Sequence, residues 1–351
     1  MKIVQVLDAL DYGDGVSNDV INKYKLLKEM GYDTAIYSKW VHDKVSKYFN
    51  DIDTLKLSKD DILMHHFSGH SFILENIHML SCKKVLVYHN ITPQEFYSGE
   101  ENTGKHDKGI EQLIMYKDKY DYFLGDSQFN IECLQQLEVT KQGDVLPILI
   151  DFRKIEKSEC FNIRDNKDQK VFSFVGRVAE NKKHEDVIDI FEYYYTNIDS
   201  NSKLILVGNY EYSLNYYNNL IHKLSELNCK NNVIFTGKID DEELYNYFKC
   251  VDIFICMSEH EGFCIPLLES MYCKVPTMAF DACAIKYTMG NAGVLVKEKN
   301  PRVLAELAHV IISNPDIRCR ILENQKKWVN LFSKENIALK LKDLIKKWQE
   351  G

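Results

Sequence analysis

Short β-rich apolar runs alternate with longer amphipathic stretches along this chain, and half-way along the alternation starts afresh. That pattern is the feature that most restricts the fold. Strands separated by helical segments join as βαβ units, and βαβ units build parallel sheets covered by helices. The first series of candidate strands is Ile3–Leu7, Thr34–Ser38, Ile62–His65, Val85–Tyr88, Tyr122–Gly125 and Val145–Ile148. Between the first two, Val20–Met30 has apolar positions near helical spacing and is closed by Gly31. The second series is Val171–Val175, Lys203–Val207, Val233–Thr236, Ile253–Cys256, Thr277–Ala279 and Val294–Val296. Helices are expected over Glu185–Tyr195, Tyr216–Leu227, Asp241–Cys250, Pro266–Cys273 and Pro301–Ser313.

Length agrees with this doubling: 351 residues are too many for one ordinary hydrophobic core and suit two. The architecture that follows is α/β, with two Rossmann-like domains of similar size. The first is expected over 1–152 and the second over 171–330, joined by a polar linker, 153–170, rich in Lys, Glu, Asp and Asn. The tail from Ile317 to Trp348 is helical in character and presents Trp328, Phe332, Leu339, Leu341 and Leu344, an apolar face that needs a partner.

Composition excludes several classes of function. A net charge of -8 gives no footing for nucleic acid. The basic clusters Lys326–Lys327 and Lys340, Lys342, Lys346 and Lys347 are interleaved with acids and read as solvated helix faces. No apolar run reaches the ~18 residues of a membrane span. The opening MKIVQVLDAL meets acid too early to be a signal peptide. The ten cysteines form no Cys-x-x-Cys pair and no zinc-spaced cluster, so they are expected to stay reduced in a cytoplasmic protein. Cys256 and Cys273 lie in apolar runs and read as small core residues.

Four stretches carry chemistry. Ser258-Glu-His-Glu-Gly-Phe-Cys-Ile-Pro-Leu-Leu-Glu269 follows the apolar run Val251–Met257, and Pro266 suits the first turn of a helix. Such a strand-to-helix loop attracts phosphate through free N–H groups and the helix dipole. Gly262 permits close backbone approach, and the carboxylates of Glu261 and Glu269 suit vicinal sugar hydroxyls. Taken alone, the two acids read as well as an exposed loop residue and a partly buried helix residue. Phe174-Val-Gly-Arg-Val-Ala-Glu-Asn-Lys182-Lys183 also leaves a strand; Arg177 can grip a diphosphate with its planar fork and Lys182 adds a compact charge.

The third stretch, Asp8 to Asn18, bears Gly13 and Gly15 but has Asn at position 18, so it lacks the third glycine of a nicotinamide site. Its alternative is a plain turn. The fourth is His89-Asn-Ile-Thr-Pro93, where His89 ends a strand and can bond a hydroxyl or a phosphate, or serve only as a local hydrogen bonder. His65, His66 and His70 have no acidic or Cys partners at zinc spacing, and Asp51-Ile-Asp53 lies in a polar loop. No metal site is expected.

In order and spacing these stretches resemble the family 4 retaining glycosyltransferases of GT-B fold, over about residues 1 to 330. Glu261 to Glu269 matches that family's Glu-x7-Glu signature. Gly176-Arg177 with Lys182 matches its Gly-Arg…Lys-Gly signature, except that Lys183 replaces the glycine. His89-Asn-Ile-Thr-Pro93, Asp126-Ser-Gln-Phe-Asn130 and Leu146-Pro-Ile resemble a bacterial subgroup linked to surface-polysaccharide assembly. The resemblance implies two domains facing each other across a cleft, with residues 331–351 as a last helix returning to the first domain. It implies that Glu261 holds hydroxyls of the transferred sugar and Glu269 the ribose. It places Arg177, Lys182 and the N–H groups of Phe263, Cys264 and Ile265 on the diphosphate. Gly15 would let the first-domain loop approach the phosphate, His89 would lie beneath the sugar, and the Thr236–Ile239 turn beside the base.

The implied reaction is hexosyl transfer from a UDP- or GDP-linked sugar to a glycan or lipid-linked glycan, with retention and without metal or cofactor. An acceptor of that kind is compatible with peripheral contact at the inner membrane surface. After Phe280 the family often carries Pro-Glu-Thr, whereas Lys286-Tyr287-Thr288 stands here. Two other readings compete: a sugar-nucleotide epimerase, and a non-catalytic sugar-nucleotide-binding subunit of a transferase complex. A nicotinamide-dependent dehydrogenase fails on the missing glycine.

Overall fold

The computed structural model describes residues 1–96, 105–157 and 163–350. Contacts divide the chain into two units. One comprises Met1–Gln94, Glu101–Asp151 and Phe332–Gly351, the other Glu95–Glu100 and Phe152–Leu331.

The first unit holds a seven-stranded sheet of β1 (Lys2–Leu10), β2 (Asp33–Val41), β3 (Phe49–Asp51), β4 (Ile62–Phe67), β5 (Lys83–Tyr88), β6 (Tyr122–Gly125) and β7 (Gly143–Val145). The order is β3-β2-β1-β4-β5-β6-β7, and every pairing is parallel. Burial on both faces explains why the strands read as continuous apolar runs. Alternate residues feed two different cores. Val4, Leu63, Leu86 and Phe123 enter one cluster, while Ile3, Met64, Val85, Val87 and Leu124 enter the other.

The second cluster is completed by the last helix, Lys334–Glu350, which buries Ile337, Leu341, Leu344, Ile345 and Trp348 there. The apolar face of the tail thus finds its partner in the sheet of the first unit. Strand β3 is an addition to the expected six. Its sequence Phe-Asn-Asp shows no apolar alternation, and it is held as an edge strand by pairing with β2. β7 begins at Gly143, earlier than the expected Val145–Ile148.

The second unit holds β8 (Lys170–Val175), β9 (Ser202–Val207), β10 (Val233–Gly237), β11 (Ile253–Cys256), β12 (Thr277–Phe280) and β13 (Val294–Val296). They are ordered β10-β9-β8-β11-β12-β13, again all parallel. All six match the expected series to within one residue at each end. The polar stretch expected as a linker, 153–170, is counted with this unit. Arg153–Lys157 is helical, and Arg164 donates to Asp252 at 2.9 Å; residues 158–162 lie outside the described residues. Polar composition hid both the helix and the ion pair.

Among the described residues eight cysteines stand outside any disulfide, whereas Cys250 is disulfide-bonded. That differs from the expectation of ten reduced thiols, because spacing along the chain does not reveal which thiols the fold brings together. No helix among the described residues is long and apolar enough to cross a membrane.

Candidate active site

From β8 the second sheet grows outward through β9 to β10, and then resumes on the other flank of β8 with β11. The boundary between β8 and β11 is therefore the switch point where two adjacent loops diverge and leave a crevice. Those loops are Gly176–Lys183 and Met257–Cys264, the two stretches the sequence singled out. Asn181 fastens one to the other: its side-chain amide donates to the His260 carbonyl at 3.0 Å, and its own carbonyl accepts from Glu259 N–H at 2.8 Å. Thr288, within the departure from the family pattern, donates to the Phe263 carbonyl at 2.5 Å.

Within this crevice Lys182 Nζ lies 2.6 Å from Glu261 Oε1, and both side chains are largely buried. Arg177 is exposed, and among the described residues it holds no ion pair. Lys183 adopts φ +51°, the left-handed region where the family pattern puts glycine. Its ammonium lies 3.3 Å from Glu259. Cys264, at φ +69°, is the N-cap of the helix Ile265–Tyr272, whose first turn contains Pro266 and receives no side-chain cap. A helix start without a side-chain cap is able to receive an anion on its N–H groups.

Glu269, expected on the ribose or as a partly buried helix residue, lies within the helix Ile265–Tyr272. It is buried, it accepts from Tyr245 Oη at 3.1 Å, and burial pushes its carboxyl up to about 7, with Asp241 acting in the same sense. Ile239 is half-buried between Gly237, at φ +72°, and Asp240, the N-cap of Asp241–Cys250. Sequence reasoning missed Gly208, at the end of β9. A Cβ there would meet the Gly176 carbonyl oxygen at 1.9 Å, so only glycine lets the β9 loop lie against the β8 loop. The available signal was a Gly-Asn pair directly after an apolar strand.

In the first unit Gly15 opens the helix Gly15–Glu29, capped by Asp14, whose carboxylate accepts the Ser17 N–H at 2.9 Å. The positive φ of this loop is at Gly13, not Gly15. His89 is buried just past the end of β5. Its Nδ1 lies 2.6 Å from Asp126 Oδ2 and its Nε2 2.8 Å from His66 Nδ1. His66 Nε2 lies 3.1 Å from Gln5 Oε1. Beside this chain the fully buried Lys23 donates to Asp19 at 2.5 Å, and the other Asp19 oxygen accepts from Leu149 N–H at 2.7 Å.

Alternation along β4 sends His65 to the opposite face, where it meets Tyr120 at 2.6 Å. The partners Asp19, Lys23, His66 and Asp126 went unassigned from sequence. Their visible trace was an acid and a lysine four apart on one helix face. Two groups, Asp19 with His66 and His89, and Cys256 with Glu261 and Cys264, bring ligand-type atoms within 4.8 Å of one another. In each the carboxylate is already neutralised by a lysine.

Residues 156–328, just under half of the chain, match the family model described as glycosyl transferases group 1. The matched residues all lie within the second unit. Over 265 residues, the chain is 22% identical to an uncharacterized 41.2 kDa protein in the cps region of Klebsiella pneumoniae, covering 73% of this chain and 70% of that one. It is 26% identical over 225 residues to a Campylobacter jejuni 4-alpha-N-acetylgalactosaminyltransferase named for a diphospho-undecaprenol-linked acceptor, covering 63% of this chain and 58% of that enzyme. Among solved structures, Anabaena HepE in complex with UDP and glucose superposes with a TM-score of 0.77 at 14% identity, covering 99% of this chain and 100% of that one. The fold of both units together is GT-B. The stretch that matches the family model includes both loops of the Lys182–Glu261 crevice.

Proposed function

We propose that this protein is a retaining, metal-independent glycosyltransferase that moves a hexosyl unit from a nucleoside diphosphate sugar to a glycan or lipid-linked acceptor in surface-polysaccharide assembly. The observation that carries the reading is the crevice at the β8/β11 switch point. There Arg177, the Lys182–Glu261 pair and the start of the helix Ile265–Tyr272 converge. Departure of a nucleoside diphosphate develops negative charge on phosphate oxygens, and fixed cations and backbone dipoles oppose that charge without reorganising. Arg177 supplies a planar fork for the purpose. Lys182 supplies its ammonium by exchanging Glu261 for phosphate, and the same exchange frees the Glu261 carboxylate for sugar hydroxyls.

A HepE structure binds UDP and glucose, and the Campylobacter relative acts on a diphospho-undecaprenol acceptor; both support a sugar nucleotide and a lipid-linked glycan as the substrate classes here. The departing diphosphate can itself supply electron density to an oxocarbenium-like centre, which supports same-face transfer and hence retention.

The test is transfer from a panel of UDP- and GDP-hexoses to lipid-linked and free glycans, with and without EDTA. The anomeric configuration of the product is read by NMR. A retained product formed equally with chelator is expected. An inverted product, or activity abolished by EDTA and restored by Mg²⁺ or Mn²⁺, overturns the mechanism. Donor binding without turnover on any acceptor favours the non-catalytic subunit instead.

A further inference from the structure

The hydrogen-bonded chain in the first unit runs Gln5 Oε1, His66 Nε2, His66 Nδ1, His89 Nε2, His89 Nδ1, Asp126 Oδ2, with contacts of 3.1, 2.8 and 2.6 Å. Both ends are acceptors. Gln5 must point its carbonyl at His66, because its amide nitrogen donates to the Val20 carbonyl at 2.9 Å and a backbone carbonyl can only accept. Asp126 meets His89 Nδ1 as a carboxylate, because an imidazole is a stronger base than a carboxylate by about 2.6 units at their reference values and takes a proton shared between the two. Three contacts between two acceptor ends and two imidazoles require three protons, whereas two neutral imidazoles carry two. With only two protons, one of the contacts would set lone pair against lone pair in the interior, the costliest arrangement for buried polar groups.

We propose that His89 is an imidazolium in the resting protein, its extra proton fixed between Asp126 and His66, which act as positioning residues for this ring. The cation belongs on His89 because it is the ring in direct contact with a carboxylate. His66 sits between His89, Lys23 and the bulk of the core, and burial, followed by the charges of His89 and Lys23, drives its own protonation down. His66 is then the neutral member, accepting at Nδ1 and donating from Nε2 to Gln5.

The surrounding charges balance. Asp126 offsets His89, and Lys23 offsets Asp19, so the buried cluster is neutral overall. His65 on the opposite face stays uncharged, held down to about 3 by burial. In this state neither ring nitrogen of His89 is a base, and any direct contact with substrate requires one of its two partners to let go. The inference stands apart from the proposed reaction, since its readout is a ring-proton count.

The experiment is long-range ¹H–¹⁵N NMR on the full chain labelled with ¹⁵N-histidine at pH 8, where an ordinary histidine with a value near 6.5 keeps its proton only about 3% of the time. His89→Gln assigns the signals. His89 is expected to show two protonated nitrogens and His66 one protonated and one bare. Asp126→Asn is the decisive variant, because an amide at 126 can turn its NH₂ toward Nδ1 and close the same chain with two ring protons. In that variant His89 is expected to show one bare nitrogen at pH 8. A neutral His89 in the unaltered protein at pH 8 overturns the proposal, as does a cation found on His66 instead. An Asp126→Asn variant that keeps both protons on His89 removes Asp126 from the role. Should that variant fail to fold, the unaltered protein alone still decides the proton count.

Discussion

Lys182 and Glu261 hold each other at 2.6 Å, although the chemistry expected of them gives each a different part of the donor. Lys182 is proposed for phosphate and Glu261 for sugar hydroxyls. Their mutual contact neutralises two largely buried charges. It also makes their contributions interdependent. Lys182→Ala is expected to lower transfer at least ~10²-fold, as removal of a group opposing transition-state charge commonly does. Glu261→Gln should lower it too. The double variant should fall short of the product of the two effects by ~0.5–3 kcal/mol, the range for residues in contact. Additive losses in a double-mutant cycle on kcat/KM would mean that the pair does not act as a unit.

Arg177→Ala tests charge without the complication of a partner. The side chain is exposed and makes no ion pair among the described residues, so its loss should leave the melting temperature within experimental error. Turnover should drop by at least ~10²-fold. A variant that melts normally and turns over normally would take Arg177 out of the donor site.

The carboxyl of Glu269 carries a pH signature. Burial raises it from 4.5 to about 7, so between those values the folded state binds a proton that the unfolded chain releases. Stability is then greatest below the lower value, falls as pH rises between the two, and stays reduced above about 7. Glu269→Gln should therefore stabilise the protein at pH 8, by up to ~3 kcal/mol at 1.36 kcal/mol per unit, and leave it unchanged near pH 4. The same variant should weaken nucleoside diphosphate binding by ~1–3 kcal/mol if the ionised form holds ribose hydroxyls. Denaturant melts at the two pH values, with calorimetric titration at pH 8, read both effects. A variant less stable than the parent at pH 8 would contradict the burial argument.

Gly208→Ala should be costly for a residue far from either motif in sequence. The new Cβ would meet the Gly176 carbonyl oxygen at 1.9 Å, and the obstructing atom is backbone, which cannot swing away. Overpacking of this kind typically costs ~1–3 kcal/mol, and here it also forces the Gly176–Lys183 loop away from β9. Loss of both melting temperature and donor affinity is expected. A variant with unaltered melting would show that the β8 and β9 loops do not need this contact.

Trp348→Ala tests the last helix. The indole is fully buried among Ile3, Leu26, Val85 and Leu124 of the first unit, and truncating a buried tryptophan costs ~3–5 kcal/mol. Urea denaturation of the full chain should show that loss. A change below ~1 kcal/mol would mean that the tail is not part of this core.

The sequence by itself determined the two parallel sheets. Strands buried on both faces must be apolar throughout, and the helices between them must repeat near every fourth residue, so both periods are written into the chain. It also determined which loops stand at the ends of adjacent strands, since Gly176-Arg177 and Glu261 to Ile265 follow such apolar runs. Tertiary structure alone decided which side chains meet. The family pattern's glycine is absent at Lys183, yet the backbone there still takes the left-handed φ of +51°. Glu269 shares a motif with Glu261, but the fold buries it against Tyr245 and shifts its protonation. His66, His89 and Asp126 lie 23 and 37 residues apart in pairs, and only the lateral order of β4, β5 and β6 brings them into one hydrogen-bonded chain. Periodicity records where a side chain points relative to its own backbone. What it will touch depends on which strand lies next to it, and that is fixed by the packing of the whole sheet.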